Sequence, residues 1–222
     1  MEYCKTVSTP ILEESTNIEK SNEQSSKTFP YREAVGTLMY FMIGTRPDLA
    51  YCVVLSRHLE NPSTEDWITV KRVFSYIACS SDKGIVYKHK YKPGLLECFS
   101  DPDFRGCKVS GRSTSGVVIL YSGGAISWFS QRQSVVATST TQAETIDVNK
   151  YCREIIWLKR LFSGVTKLNG MPVLQVDKTA IIRLAQNLEF HSPTMHIRIE
   201  LFFCQRKGII DAESIKKIRL LI

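Results

Sequence analysis

The chain has 222 residues, 43% of them hydrophobic and 23% charged, with a formal net charge of +7. This usage excludes a collagen-like or disordered composition and is enough for one generous core or two small ones. Residues 1–149 balance 16 Lys and Arg against 16 Asp and Glu, so the whole positive excess falls in residues 150–222; such asymmetry fits either a phosphate-backbone binder or solvated basic helix faces.

Residues 1–28 are polar and serine-containing and read as a linker or tail. A helical segment is expected over 29–82. Tyr31 to Ile43 is a mixed apolar run ending at Gly44. Its longest apolar stretch, Val35 to Ile43, is about half the roughly 20 residues of a membrane span, so no membrane partner is expected. Thr45-Arg46-Pro47-Asp48 is a start signal, with proline in the first turn, for a helix over Leu49 to Leu59. Asn61-Pro62 breaks it. Ser63 with Asp66 three residues on resembles a capping box, and Trp67, Val70, Phe74 and Ile77 then share one helical face.

Near residue 84 the pattern changes. Ile85 to Tyr87 and Leu95 to Ser100 are strand-like. Thr114 to Tyr121, the turn Ser122-Gly123-Gly124, and Ala125 to Phe129 predict a β-hairpin. A long helix is predicted over Thr140 to Phe162, with Val148, Tyr151, Cys152, Ile155, Leu158 and Phe162 as its core stripe. Pro172 to Asp177 predicts a buried strand, and Thr179 to Ala185 another helix. The order implies a mixed α/β sheet domain over 83–209, leaving 210–222 as a divergent tail. Seven widely spaced cysteines without a C-x-x-C pair, and no basic-then-apolar leader, argue against a disulfide framework, a zinc ribbon and a signal peptide. The expectation is an intracellular chain, cytoplasmic or nuclear.

Three acids stand out by position. Asp101 follows Phe99-Ser100 at a strand end, Glu144 lies early in the long helix, and Asp177 ends the strand 173–176. Placed ~4 Å apart at one sheet rim, each like-charged pair costs about 4 kcal/mol at an effective dielectric of 20. Divalent cations with oxygen preference, Mg²⁺ or Mn²⁺, relieve that repulsion. The alternative is three solvated acids at element ends, with Glu144 favourable at a helix N-terminus. Lys150, Arg153, Lys159 and Arg160 on the long helix either track phosphates or form a solvated face.

Tyr31 through Tyr40, Gly44 through Tyr51, and Trp67 with Val70-Lys71-Arg72-Val73 resemble copia-type retrotransposon Pol polyproteins. So do Phe99-Ser100-Asp101-Pro102-Asp103, Gly111 through Gly116, Gly123 through Trp128, Ser139 through Glu144, Trp157 through Leu161, and Phe190-His191-Ser192. The resemblance implies a C-terminal remnant of the reverse transcriptase over 29–82, followed by a ribonuclease H-like mixed sheet with flanking helices, truncated at its C-terminal part. It assigns Asp101, Glu144 and Asp177 as metal-binding acids that use Mg²⁺ or Mn²⁺ to hydrolyse the RNA strand of an RNA–DNA hybrid. The family's fourth acid sits in an Ala-Asp-x-x-Thr-Lys-like tract, which this sequence lacks. Asp211 or Glu213 would be its substitutes. Gln142 stands where an acid is usual, and Lys178 follows Asp177 in place of asparagine. His191 and His196 read as surface histidines. No Tyr-x-Asp-Asp-type motif is present, so the polymerase palm is missing. An impaired nuclease and an inactive remnant that binds nucleic acid or protein both stay open. The partners implied are RNA–DNA hybrid, the missing polymerase domains, or a protein on the exposed helical segment.

Overall fold

The computed structural model describes residues 7–11, 29–89, 94–103, 110–166, 168–170, 172–176 and 215–217. The chain divides into two compact units: Met1–Ile85 with Cys107–Ser110, and Val86–Gly106 with Gly111–Ile222.

The first unit is helical. It contains α1 (Tyr31–Gly44), a 3-10 helix (Pro47–His58) and α2 (Thr64–Cys79). Leu49, Cys52 and Leu55 of the middle segment are buried. Their spacing of three matches the three residues per turn of this helix and stacks them in one line. Helix α2 opens with the expected reciprocal cap: Asp66 N donates to Ser63 Oγ at 3.1 Å, and Ser63 N donates to Asp66 Oδ2 at 2.8 Å. Its buried face runs through Val70, Val73 and Tyr76, while Trp67, Phe74 and Ile77 are only partly buried. Tyr31, Val35 and Leu38 of α1 complete this core. Val7 and Ile11, from the stretch expected to be a tail, pack against it.

An ion pair between the buried Arg46 and the more exposed Asp48 fixes the start of the 3-10 helix. Arg46 donates to both carboxylate oxygens of Asp48, at 3.0 and 2.8 Å, and to Ser80 O and Ser80 Oγ beyond the end of α2. Tyr76 donates to Asp48 Oδ2 at 2.7 Å. Burial works against the Asp48 charge, but the Arg46 and Tyr76 hydrogen bonds outweigh it and hold the carboxyl below its ordinary range. Asp66 follows the same pattern: burial raises it, and the hydrogen bonds from His58 and Ser63 bring it below its usual value.

The second unit is a five-stranded sheet of β1 (Leu96–Asp103), β2 (Thr114–Tyr121), β3 (Gly124–Arg132), β4 (Val173–Val176) and β5 (Ile215–Lys217), in the order β3-β2-β1-β4-β5. The first three strands form an antiparallel meander, β4 lies parallel to β1, and β5 lies parallel to β4. The β2–β3 turn is two residues long, Ser122 and Gly123, with φ of 51° and 78°. Two successive positive φ values match the twist of a tight hairpin. Ile85–Tyr87, expected as a strand, joins no sheet; it is held by Lys88 N donating to Ser122 O and by Tyr87 Oη donating to Ala125 O. Strand β5 falls within 210–222, so part of the expected tail belongs to the sheet. The helix predicted over 179–185 lies outside the described residues.

Helix α3 (Thr140–Ser163) covers the sheet. Ser139 caps it by accepting from Gln142 N, and Gln142 Oε1 accepts in turn from Thr138 N and Oγ1. Val148, Tyr151, Cys152, Ile155 and Leu158 pack on Leu96, Cys98, Val117 and Ile119, as the stripe predicts. Cys52, Cys79 and Cys98 are free thiols, and Cys152 is disulfide-bonded, a bond the cysteine spacing does not foretell. Among the described residues no helix is long and apolar enough to cross a membrane.

Candidate functional site

The direction of α3 decides which residues meet. Phe162, near its C-terminus, packs on Tyr121, whose strand partner is Leu96 at the start of β1. Lys150, nearer its N-terminus, donates from Nζ to Ser115 Oγ at 3.3 Å, and Ser115 pairs with Pro102 near the end of β1. The helix therefore runs antiparallel to β1, and its first turns lie at the C-terminal end of that strand. Asp101 and Glu144 thus belong to the same end of the sheet. The backbone of Asp101 pairs with that of Gly116. Glu144 is 2% exposed, and both its carboxylate oxygens are shielded from solvent.

Strand β4 adds the third position. Val176 is the register partner of Ser100 in the parallel β1–β4 pair. The next residue on β1 is Asp101, and the next in the β4 chain is Asp177. Asp177 itself lies outside the described residues, as do His191, His196, Asp211 and Glu213. Among the described residues, no group of three or more His, Cys, Asp and Glu stands close enough to hold a metal ion.

One turn beyond Glu144, the structure buries a further acid. Asp147 is fully enclosed. Gln133 Nε2 donates to Asp147 Oδ1 at 3.0 Å, to Ala143 O at 2.9 Å and to Ser115 Oγ at 3.3 Å. Burial pushes the Asp147 carboxyl up to about 6, against the opposing pull of Ser115, Gln133, Lys150 and Ser100. Lys150 is pushed down by the same burial, partly restored by Asp147. Lys150 is half-buried, with its ammonium donating to Ser115 Oγ and its charge favouring that of Asp147. Arg153 and Arg160 are exposed, and Lys159 is half-buried.

The sequence carries a signal for Asp147. Positions 147, 151 and 155 are four residues apart, so the apolar stripe of α3, extended back one turn, passes through it. Polar identity hides a residue whose phase is that of the core.

The chain is 34% identical over 229 residues to the retrovirus-related Pol polyprotein from transposon TNT 1-94 of Nicotiana tabacum, a match covering 99% of this chain. The chain belongs to the copia-type Pol polyproteins. It spans 17% of the length of that tobacco relative. The second unit has the mixed five-stranded sheet and covering helix that the family resemblance implies. A further relative, the secreted RxLR effector protein 161 of Plasmopara viticola, is 38% identical over 133 residues, 60% of this chain and 93% of that protein. Among solved structures, the chain is similar to LC11-RNase H1 isolated from compost, with TM-score 0.42 and 13% identity over 57% of this chain and 84% of that one. The same RNase H1 has been solved in complex with an RNA/DNA hybrid. No protein-family model matches the chain.

Proposed function

We propose that this copia-type domain hydrolyses the RNA strand of RNA–DNA hybrids, with Asp101, Glu144 and Asp177 holding Mg²⁺ or Mn²⁺, at a rate reduced by the missing fourth acid. The observation that carries this reading is a buried carboxylate, Glu144, at the end of the sheet where the parallel strands β1 and β4 lead into Asp101 and Asp177. Three carboxylates form an oxygen donor set suited to a hard divalent cation. When bound, such an ion supplies an activated water and stabilises the leaving oxygen of a phosphodiester. The chain's own part is positional. The stripe of α3 fixes Glu144 against the sheet, and the Gln133–Asp147–Ser115 network ties the same helical turns to β2. The test is cleavage of a labelled RNA–DNA hybrid in Mg²⁺ or Mn²⁺, beside Asp101→Asn. Slow metal-dependent cutting that disappears in the variant supports the reading; no cutting by folded protein overturns it.

A second reading, an inactive module that works by binding, is favoured by the Plasmopara viticola relative, nearly all of whose length matches this chain. In the helical unit, Tyr40 and Ile43 are 79% and 67% exposed and offer an apolar surface to a protein partner.

A further inference from the structure

The outer face of the second half of α3 combines features that the cleavage reading leaves unused. Arg153, Trp157, Arg160 and Leu161 are all exposed and fall at offsets 0, 4, 7 and 8, one stripe of the helix. Trp157 is 55% exposed, whereas the other two tryptophans, Trp67 and Trp128, are half-buried. No acid lies on the stripe. The nearest, Glu154, is turned to the sheet, where its Oε1 accepts from Ser127 Oγ at 2.8 Å. The stripe also falls in residues 150–222, which hold the chain's whole positive excess.

We propose that this face binds single-stranded nucleic acid, with Trp157 stacking on an unpaired base between phosphates held by Arg153 and Arg160. An indole face can stack only on a base that is not already stacked in a duplex, and aromatic stacking flanked by basic groups is how single strands are held without sequence preference. Seven residues of helix separate the two arginines by about 10 Å along the axis, with the indole between them. An exposed indole beside two arginines and no acid favours an anionic, ring-bearing ligand over an uncharged apolar one. The site lies thirteen residues from Glu144, about 20 Å along the helix, so it goes beyond hybrid cleavage and does not depend on it.

The test is fluorescence anisotropy of a labelled 20-nucleotide oligouridylate titrated with the full chain across a range of salt. A duplex of equal length serves as comparison. Trp157→Ala is expected to weaken single-strand binding about tenfold, with Trp157→Phe recovering part of the loss. Replacing Arg153 and Arg160 together by Gln is expected to flatten the slope of log affinity against log salt by roughly 1.4. The proposal is overturned if Trp157→Ala binds like the parent, if it weakens duplex and single strand equally, or if the double arginine variant keeps the parent's slope. Hybrid cleavage is not read in these titrations, so failure here leaves the nuclease reading standing.

Discussion

Both units of this chain bury carboxylates, and they treat them in opposite ways. In the helical unit Asp48 is gripped by Arg46 and Tyr76, and Asp66 by Ser63 and His58; both acids are held below their ordinary range in spite of burial. In the sheet unit Asp147 is enclosed with an amide and hydroxyls as its nearest donors, and burial wins, pushing it up to about 6. A carboxylate that serves only the fold is given a cation or enough donors to remain charged. Asp147 has donors and the Lys150 charge in its favour, yet its deeper burial outweighs them. The proposed cation site lies in the second unit, the one that holds the costly Asp147.

The largest effect that would break this contrast lies in the helical unit. Arg46→Ala leaves the buried Ser80 carbonyl and hydroxyl without these donors and frees Asp48, which should cost about 3 kcal/mol, read from the urea midpoint of protection in α2. A loss near zero would mean the pair is no clamp. Next, Asp147→Asn should stabilise the sheet unit at pH 7, by at most about 3 kcal/mol. The sign follows from linkage. The folded Asp147 value of about 6 lies above the unfolded value of roughly 3.9. The favourable contribution is present below the unfolded value and is lost as pH rises through about 6. Asp48 and Asp66 are lowered, so their contribution is present above the unfolded value and is lost as pH falls through their depressed values. Hydrogen exchange of each unit between pH 3 and 7 should therefore show opposite trends, and Asp147→Asn should flatten only that of the sheet unit. The smallest effect is Tyr151→Phe. The Tyr151 hydroxyl is buried without a hydrogen-bond partner, so its removal should raise stability by about 1 kcal/mol; a loss of that size would show a partner the geometry does not reveal.

Much of this architecture is legible in the sequence, because short-range periodicity records which face is buried. The α3 stripe, the Ser63–Asp66 cap and the Ser122-Gly123 turn all follow from spacing and residue type. What escapes is long-range pairing. Arg46 reads as part of a helix start, and nothing near it announces Ser80, 34 residues away, as its acceptor. The pairing of Ser100 with Val176 comes from sheet assembly, and no local pattern announces it. Strand β5 is three residues of mixed polarity, too short for an alternation signal. Lys150 shows the same limit: its charge suggests solvent, while its long stem carries the ammonium to Ser115 Oγ on β2.

The central proposal is that Asp101, Glu144 and Asp177 of the sheet unit hold a divalent cation, and Mn²⁺-dependent stability tests it most directly. Protection of α3 and β1 against hydrogen exchange is measured with increasing Mn²⁺ in the parent chain and in Glu144→Gln. The account predicts that the sheet unit of the parent is stabilised in proportion to the logarithm of Mn²⁺ above its dissociation constant, that the helical unit is unmoved, and that Glu144→Gln abolishes the gain. Equal stabilisation of parent and variant, or none in either, would contradict it.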